Sequence, residues 1–459
     1  MVFSASINSI CKECHREPEG RGDLLRILSA GDCFVTRHKA WRIPRNDMRG
    51  FCKQTLIFTK LFFIFFLFII SIPSALASPS KLKRHVLSWE SAKAPIVYRR
   101  LKGETRSIRQ LHVSYRRVIR FEKSSFWNRR PFQFTTPLYH HDLLYVGVDA
   151  GKFYALETKP MRKKWVFETE GAVHASADLD QDVVFFGDVR GNVYALNAMS
   201  GILVWQRRLD DEILSPPLAS EGKLYVVTQS GRLFALDRET GDEVWHTEAY
   251  EKSWGFSVRK ATKPVAAFGK IFVGTATGML MAYHPEDGSL AWVRQLGDRR
   301  ELVYDVDATI VPFANTLLCS SADGKLSKVD ALDGRIIWSR DVGGVNDLLL
   351  ANEKLYVTGS GVLTSLHPVT GDFHWQQDFE TAEISSAAGG ENFLAVVSTS
   401  DKFWFLDQDT GDILQRLYVR KGSLGDPLVI ANEVYVVSNK GRLLGYRMKE
   451  LKPRHVQIQ

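Results

Sequence analysis

Short apolar runs separated by glycine-containing turns recur throughout residues 134–459. The clearest unit has apolar runs at 224–227, 233–236 and 244–245, with turns at 230–231 and 240–241 between them. The β-branched and aromatic residues of these runs favour extended structure, and glycine permits the positive φ of tight hairpin turns. A further short apolar segment precedes the unit at 215–218, and similar segments precede several others. Each unit therefore predicts four antiparallel strands.

An eleven-residue motif recurs in these units: Ala, five residues, Gly, three residues and Trp. It occurs in full or in altered form as Ala195…Gly201…Trp205, Ala235…Gly241…Trp245, Ala282…Gly288…Trp292, Lys328…Gly334…Trp338, Ser365…Gly371…Trp375, Ala155…Met161…Trp165 and Phe405…Gly411…Gln415. Successive motifs lie 37 to 47 residues apart. Four strands in about 40 residues is the period of a β-propeller blade, whereas helical repeats of this period would not tolerate so many glycine turns.

The number of units predicts an all-β fold, an eight-bladed β-propeller of four-stranded antiparallel blades, with seven blades as the alternative. Seven units carry the motif, and an eighth at residues 434–446 is not followed by a strand with a tryptophan. We expect an N-terminal strand at residues 118–127 to supply the outer strand of this last blade and close the ring. Trp127 would then take the place of the missing tryptophan.

The unit Ala235-Leu236-Asp237…Thr240-Gly241…Trp245 resembles the repeat of the PQQ-like β-propeller family, and the resemblance covers residues 114–447. It implies that the motif tryptophans dock between blades, which assigns this structural role to Trp127, Trp165, Trp205, Trp245, Trp292, Trp338 and Trp375. Two branches share the fold. One contains quinoprotein dehydrogenases, which use pyrroloquinoline quinone (PQQ) and calcium, and the other contains non-catalytic propellers of outer-membrane protein assembly. The length expected after removal of a leader resembles that of the second branch.

The cysteines argue against the quinoprotein branch, and we expect no cofactor. Quinoprotein dehydrogenases typically place a disulfide between adjacent cysteines against the quinone. Four of the five cysteines lie before residue 53, and Cys319 alone follows, within an apolar run. Such a cysteine is most simply a small buried hydrophobic side chain. A PQQ-dependent quinoprotein, or a carbohydrate-active propeller enzyme, is the alternative function.

The acidic and histidine side chains form no catalytic or metal-ligand pattern in the sequence, so no catalytic, cofactor-binding or metal-binding residue is predicted. Three acids occupy equivalent positions beside turns, where aspartate stabilises the turn: Asp237, Asp330 and Asp407. The histidines lie in a predicted loop or at one varied repeat position: His140-His141, His284 and His367. The sequence also has no nucleophile elbow, phosphate-binding loop or nucleic-acid motif, and we expect no nucleic-acid partner.

Charge is distributed unevenly along the chain. Residues 78–133 carry 15 basic and 3 acidic side chains, whereas residues 134–459 carry 34 basic and 43 acidic ones. We expect residues 78–113 to form a basic flexible arm before a propeller at 114–459. The arm, through residues 78–110, is expected to contact an anionic membrane surface, to which each basic side chain contributes about 1 kcal/mol. The alternative is that the arm lies on its own acidic propeller.

A targeting signal precedes the arm. Residues 61–70 are a continuous apolar run, with Lys53 and Lys60 before it and the small-residue site Ala75-Leu76-Ala77 after it. This order predicts a signal peptide at 48–77. The alternative, a membrane anchor, needs about 20 apolar residues, which the run does not provide. Because no cysteine lies at the cleavage site, no lipid attachment is expected, and the product is expected to be periplasmic or otherwise exported.

Residues 1–47 are expected to be a non-native or disordered leader, with translation starting at Met48. This segment contains Cys11-Lys12-Glu13-Cys14-His15, which matches the short pattern of covalent haem attachment. Because the match lies before the export signal, we interpret it as a chance occurrence.

Two connections between units are longer than the repeat requires. They carry the predicted partner-contact residues Tyr250, Trp254, Phe256, Arg259, Arg299, Arg300 and Tyr304. Propellers bind through rim loops, and Trp, Tyr and Arg dominate interface hot spots. The expected function is a non-catalytic scaffold for envelope proteins, including the β-barrel assembly machinery. The alternative is that both insertions only cover the core.

Overall fold

The computed structural model describes residues 105–121, 135–248, 262–275, 277–297, 309–321, 323–379 and 383–457. Within these ranges every regular element is a strand, and the strands form eight four-stranded antiparallel sheets. The same residues contain no helix long and apolar enough to cross a membrane. The predicted leader, the predicted signal peptide and residues 78–104 of the predicted arm lie outside the described residues.

The strands of each sheet are named A to D from the inner to the outer edge. Blade 1 contains β2 (Leu138–His140), β3 (Leu143–Val148), β4 (Lys152–Thr158) and β5 (Met161–Glu168). Blade 2 contains β6 (Asp178–Asp180), β7 (Val183–Gly187), β8 (Asn192–Asn197) and β9 (Leu203–Arg208). Blade 3 contains β10 (Leu218–Ser220), β11 (Lys223–Val227), β12 (Leu233–Asp237) and β13 (Glu243–His246). Blade 4 contains β14 (Val265–Ala267), β15 (Lys270–Gly274), β16 (Met279–Tyr283) and β17 (Leu290–Gln295).

The remaining four blades follow the same order until the ring closes. Blade 5 contains β18 (Val311–Phe313), β19 (Thr316–Ser320), β20 (Lys325–Asp330) and β21 (Ile336–Asp341). Blade 6 contains β22 (Val345–Ala351), β23 (Lys354–Gly359), β24 (Val362–Leu366) and β25 (Phe373–Asp378). Blade 7 contains β26 (Ile384–Gly389), β27 (Phe393–Ser398), β28 (Lys402–Asp407) and β29 (Ile413–Tyr418). Blade 8 contains β30 (Leu428–Ile430), β31 (Glu433–Ser438), β32 (Arg442–Gln457) and, as strand D, β1 (Thr105–Arg120).

Burial follows the position of a strand within its blade. The B and C strands are almost entirely apolar and buried, as in β3 and β31, because each blade lies between two others. The D strands face solvent on one side; in β9, for example, Trp205 is the buried residue. Strands buried on both faces read as continuous apolar runs, which explains the pattern of the sequence.

The core is a series of interfaces between blades. The described residues form eight apolar clusters, each shared by two successive blades. One of them joins Phe185 and Val193 of blade 2 to Leu224 and Val226 of blade 3. Another joins Leu144 and its neighbours in blade 1 to β31 and β32 of blade 8. The clusters therefore run around the complete ring, which confirms the predicted eight-bladed propeller.

An N-terminal strand closes the ring as predicted, but its position was predicted wrongly. The expected strand was 118–127, whereas β1 covers Thr105–Arg120 and pairs antiparallel with β32. Residues 105–113 therefore belong to the strand and not to the basic arm, and Trp127 lies outside the described residues. The predicted strand begins too late because a register shift between Tyr115 and Arg117 interrupts the alternation of buried residues along β1.

Candidate partner-binding rim

Six tryptophans on described D strands pack against the following blade. Each indole nitrogen donates a hydrogen bond to a backbone carbonyl oxygen in the C–D turn of that blade, at 2.8 to 3.2 Å. The donor–acceptor pairs are Trp165–Ala198, Trp205–Arg238, Trp245–Pro285, Trp292–Ala331, Trp338–Val369 and Trp375–Gln408. Because these rings are held between blades, they do not form a platform for a ligand.

The glycine of each motif makes room for the docking ring. Gly241 has a φ of 76°, and a Cβ atom there would lie 2.6 Å from Cε3 of Trp205. Gly288 is in the same situation, with a Cβ position 2.5 Å from Cε3 of Trp245. Any other residue would meet both the backbone strain of a left-handed conformation and the indole ring. The glycine of one motif thus receives the tryptophan of the preceding blade, and this junction is repeated between six pairs of successive blades.

The two junctions of blade 8 are built differently. Gln415 replaces the tryptophan of blade 7; its Oε1 accepts a hydrogen bond from the Val113 backbone N–H of β1 at 2.7 Å. At the other junction, Arg117 of β1 occupies the position that corresponds to a docking tryptophan, because it pairs with Gly445 as Trp245 pairs with Ala235. Met161, which replaces the motif glycine of blade 1, places its Sδ 3.3 Å from the Cβ position of Gly445. The altered motifs therefore mark the seam of the ring.

The repeated acids hold turns. The Asp237 carboxylate accepts a hydrogen bond from the Thr240 backbone N–H at 2.9 Å, and this bond is the main cause of a pKa below the ordinary aspartate value. Asp330 accepts the bond of the Leu332 N–H at 2.8 Å, and Asp407 makes the corresponding turn contacts. The predicted role of these acids in turns is confirmed. They lie in separate blades, so they do not supply the converging oxygen ligands that calcium requires.

The only free cysteine of the described residues, Cys319, is fully buried in blade 5. Burial raises the pKa of its thiol far above the ordinary value, which makes it unreactive. The sequence contains no two adjacent cysteines, so the disulfide of the quinoprotein dehydrogenases cannot form. The residues of this chain do not fit a PQQ site of that kind.

The predicted partner-contact residues Tyr250, Trp254, Phe256, Arg259, Arg299, Arg300 and Tyr304 lie outside the described residues. The ends of both insertions are described, and both connect a D strand to the A strand of the next blade. We call this edge of the ring, which also carries the B–C turns, the D–A rim. The first insertion connects blade 3 to blade 4, and the second connects blade 4 to blade 5. Their described ends therefore lie on both sides of blade 4.

The insertion ends are anchored by polar side chains. Thr262, where the first insertion ends, is buried, and its hydroxyl donates to the Gly274 carbonyl at 2.9 Å. Gln295, before the second insertion, donates from its amide to the carbonyls of Thr277 and Gly297. Thr309, after that insertion, donates to the Asp347 carboxylate at 2.7 Å. Thr247, before the first insertion, accepts a hydrogen bond from the Leu233 N–H with its hydroxyl oxygen at 3.2 Å. Both insertions therefore start and end at fixed points of the rim.

Elsewhere on the D–A rim, the carboxylates of Asp188 and Asp211 tie B–C turns to neighbouring connections. The Asp188 carboxylate is fully buried and accepts hydrogen bonds from the Gly171 N–H and the Tyr194 hydroxyl, both at 2.9 Å. Asp211 accepts bonds from the hydroxyl and the N–H of Ser230 at 2.6 and 3.0 Å. Burial acts to raise the pKa of Asp211, but these hydrogen bonds hold it below the ordinary value. These carboxylates serve the rim as structural groups.

A second candidate surface lies at the seam of the ring. A groove of about 290 Å³ between β29 and β1 is lined by Tyr115, Val118, Leu417, Tyr418, Arg420, Ser438, Arg442, Leu444 and Tyr446. Tyr418 is 81% exposed and Tyr115 is 56% exposed. At the D–A end of the groove, Arg420 and its basic neighbours lower the pKa of Lys440 by repulsion. The sequence analysis missed this groove because it depends on how β1 pairs with β32.

The structure also brings together side chains that the sequence analysis left in a loop. His140 and His141 of blade 1 lie beside Asp182 of blade 2, with ligand atoms that are all within 4.8 Å of one another. Asp182 follows His141 by 41 positions, close to one repeat. Superposing the repeats would have placed the three residues in neighbouring turns.

Solved structures with the same fold include both branches of the family. The crystal structure of BamB from Moraxella catarrhalis matches with a TM-score of 0.64 and 22% identity, over 73% of this chain and 100% of that chain. A quinohemoprotein alcohol dehydrogenase from Comamonas testosteroni matches with a TM-score of 0.61 and 13% identity, over 73% and 76% of the two chains. At these identities the structures support the fold alone.

Sequence relatives come from the assembly-factor branch. The outer membrane protein assembly factor BamB of Shewanella oneidensis is 27% identical over 277 residues, which are 57% of this chain and 67% of that protein. BamB of Burkholderia pseudomallei is 23% identical over 329 residues, which are 68% and 84% of the two chains. The family profile described as outer membrane protein assembly factor BamB matches residues 161–377 and 359–457. With its eight blades and repeated docking motif, this chain belongs to that family of PQQ-like repeat propellers.

Proposed function

We propose that this protein is a non-catalytic, exported scaffold that binds protein partners in outer-membrane protein assembly. The single observation that carries the proposal is the family match, which covers β5 of blade 1, blades 2 to 7 and strands A to C of blade 8. The chemistry of the described residues agrees with a scaffold. The docking tryptophans, the turn acids and the buried thiol are all engaged in holding the ring.

We further propose that the main partner surface is the D–A rim on both sides of blade 4. Both insertions start and end at anchored positions there, namely Thr247, Thr262, Gln295 and Thr309. A loop whose ends are held in place has fewer conformations before binding, so it loses less conformational entropy when a partner binds. The insertions contain Trp254, Arg299 and other residues of the types that dominate interface hot spots. A partner would therefore contact two neighbouring loops at once.

The test is binding of the purified protein to the β-barrel assembly machinery isolated from the same organism. Two loop variants, Trp254→Ala with Arg259→Ala and Arg299→Ala with Arg300→Ala, are compared with a seam variant, Tyr418→Ala with Arg420→Ala. A hot-spot loss of 2 kcal/mol or more weakens binding about thirtyfold, and we expect this of the loop variants alone. Equal melting temperatures show that the variants are folded.

Two results would refute parts of this proposal. Loss of binding in the seam variant, with wild-type binding in both loop variants, would move the partner surface to the groove. No binding of the wild-type protein at any accessible concentration would refute the assembly role. Uptake of PQQ with calcium, followed by dye reduction, would instead favour the quinoprotein alternative.

We propose that the basic arm contacts an anionic membrane surface. Because β1 begins at Thr105 and β32 extends past its pairing with β31, the arm joins the propeller at the edge opposite the D–A rim. Residues 78–104 can therefore be deleted without removing the closing strand. We expect this deletion to abolish co-sedimentation with anionic vesicles at low salt, and equal sedimentation of both forms would exclude the arm from membrane binding.

Export and processing are tested separately. We propose cleavage of a signal peptide after Ala77, so N-terminal sequencing of the exported protein should find Ser78 as the first residue. Recovery of a peptide that contains Cys11 would show that residues 1–47 are translated, and it would contradict the start at Met48.

A further inference from the structure

The A–B turns of blades 1 and 2 bring two histidines and an aspartate together. His140 is the last residue of β2, and His141 begins the turn that leads to β3. Asp182 lies in the corresponding turn of blade 2, between β6 and β7. Because neighbouring blades place the same turn side by side at the edge opposite the D–A rim, residues from two repeats meet there. The cluster has no part in the docking of tryptophans or in the proposed partner surface.

The distances in the cluster suit metal ligation. Nε2 of His140 lies 3.3 Å from Oδ1 of Asp182, and the ring centroids of His140 and His141 are 3.9 Å apart. Two ligand atoms on a tetrahedral zinc ion, each at about 2.05 Å, are about 3.4 Å apart. His140 and Asp182 are thus already at this separation. His141 and Asp182 are exposed, so their side chains can rotate to complete the site.

The donor set narrows the choice of ion. Two imidazoles and one carboxylate are ligands that Zn²⁺ and other late first-row divalent metals prefer, whereas Ca²⁺ and Mg²⁺ prefer oxygen ligands alone. The surroundings add negative charge, because the carboxylate of Asp142, which accepts a hydrogen bond from the Tyr139 hydroxyl at 3.1 Å, follows His141 directly. Three protein ligands leave a fourth position for water or for a side chain of another protein.

We propose that His140, His141 and Asp182 bind one Zn²⁺ ion that links blade 1 to blade 2. The proposal is independent of the identity of the protein partner. It predicts that Zn²⁺ raises the melting temperature of the ring by mass action, because the site exists only when the two blades are folded and adjacent.

The experiment is isothermal titration of the untagged, chelator-treated protein with ZnCl₂, followed by Co²⁺ absorbance as a report of tetrahedral geometry. Loss of a group that merely supports a metal ligand weakens binding by about 10–100-fold, so loss of a ligand should weaken it at least about tenfold. We expect this of His140→Ala, His141→Ala and Asp182→Asn. The control is the double variant His367→Ala with His374→Ala, which removes a histidine pair of blade 6 with ring centroids 5.9 Å apart.

The expected result is one Zn²⁺ per chain, with affinity lost in the three site variants and kept in the control. Wild-type affinity in Asp182→Asn would refute a site that spans two blades. Loss of affinity in the control variant, or a stoichiometry that changes with every histidine removed, would show unspecific binding to surface histidines and would refute the proposal. Circular dichroism of each variant shows that the fold is retained.

Discussion

Replacing one docking tryptophan tests how the ring is held together. Trp245 is 9% exposed, its indole nitrogen donates to the Pro285 carbonyl at 3.1 Å, and its ring lies against Gly288 of the next blade. Trp245→Ala therefore removes both the apolar contact and the hydrogen bond between blades 3 and 4. It leaves an empty space that the rigid strands on either side cannot fill.

The expected loss can be estimated from these contacts. Truncation of a buried tryptophan to alanine lowers the free energy of unfolding by about 3–5 kcal/mol, mostly through lost burial and the cavity. The hydrogen bond accounts for about 1 kcal/mol of this loss. Trp245→Phe keeps a large apolar ring but has no donor, so we expect a smaller loss of about 1–2 kcal/mol.

The assay is urea denaturation followed by circular dichroism, with Val244→Ala as the matched control. Val244 precedes Trp245 on the same strand but is 49% exposed, so its truncation should change the free energy of unfolding by less than about 0.5 kcal/mol. A loss below about 1 kcal/mol in Trp245→Ala, or a loss equal to that of Val244→Ala, would refute the docking role.

Three further predictions concern the seam, a rim carboxylate and the buried thiol. Gln415→Ala removes the hydrogen bond to Val113, so the unfolding free energy should fall by about 1–2 kcal/mol and limited proteolysis should release β1 sooner; unchanged proteolysis would contradict this. The Ser230 hydrogen bonds that depress the pKa of Asp211 stabilise the fold at pH values above the ordinary aspartate pKa. This stabilisation is lost as the pH falls through the depressed pKa. Below about pH 4, the melting temperature should therefore fall more steeply with decreasing pH for the wild type than for Asp211→Asn. An equal dependence on pH in both proteins would contradict this prediction. Cys319 should react with a thiol reagent only after denaturation, because its thiol is buried. Rapid labelling of Cys319 in the native protein would contradict this prediction.

The blades could be predicted from the sequence because each unit expresses its environment locally. Strands buried on both faces read as apolar runs, and the Gly of each motif is fixed by the Trp of the preceding blade. Met161 replaces the glycine of one motif and Gln415 replaces the tryptophan of another, and the structure shows that both replacements lie at the seam. Departures from the repeat therefore indicate where the ring closes.

Other features could not be predicted because they depend on pairing between distant segments. The register shift in β1 breaks the alternation of buried residues between Val113 and Ile119, so the sequence pattern predicts a strand that begins too late in the chain. The seam groove exists only once Tyr115 lies beside Tyr418. The His140–Asp182 pair needs neighbouring turns of two blades, which the spacing in the sequence indicates only after the repeats are superposed.

Pairing of β1 with β32 also sets an order of assembly. Ser114 donates a hydrogen bond to the Arg447 carbonyl, 333 residues further along the chain. Closing a flexible loop of that length costs about 5 kcal/mol in chain entropy, a cost that falls once the intervening blades have stacked and brought the two ends together. During synthesis β1 is made long before its partner, and it has to remain available, with an unpaired edge, until β32 emerges. We therefore expect the seam to be the last part of the ring to form, and until it closes β1 is a strand edge that needs protection from aggregation.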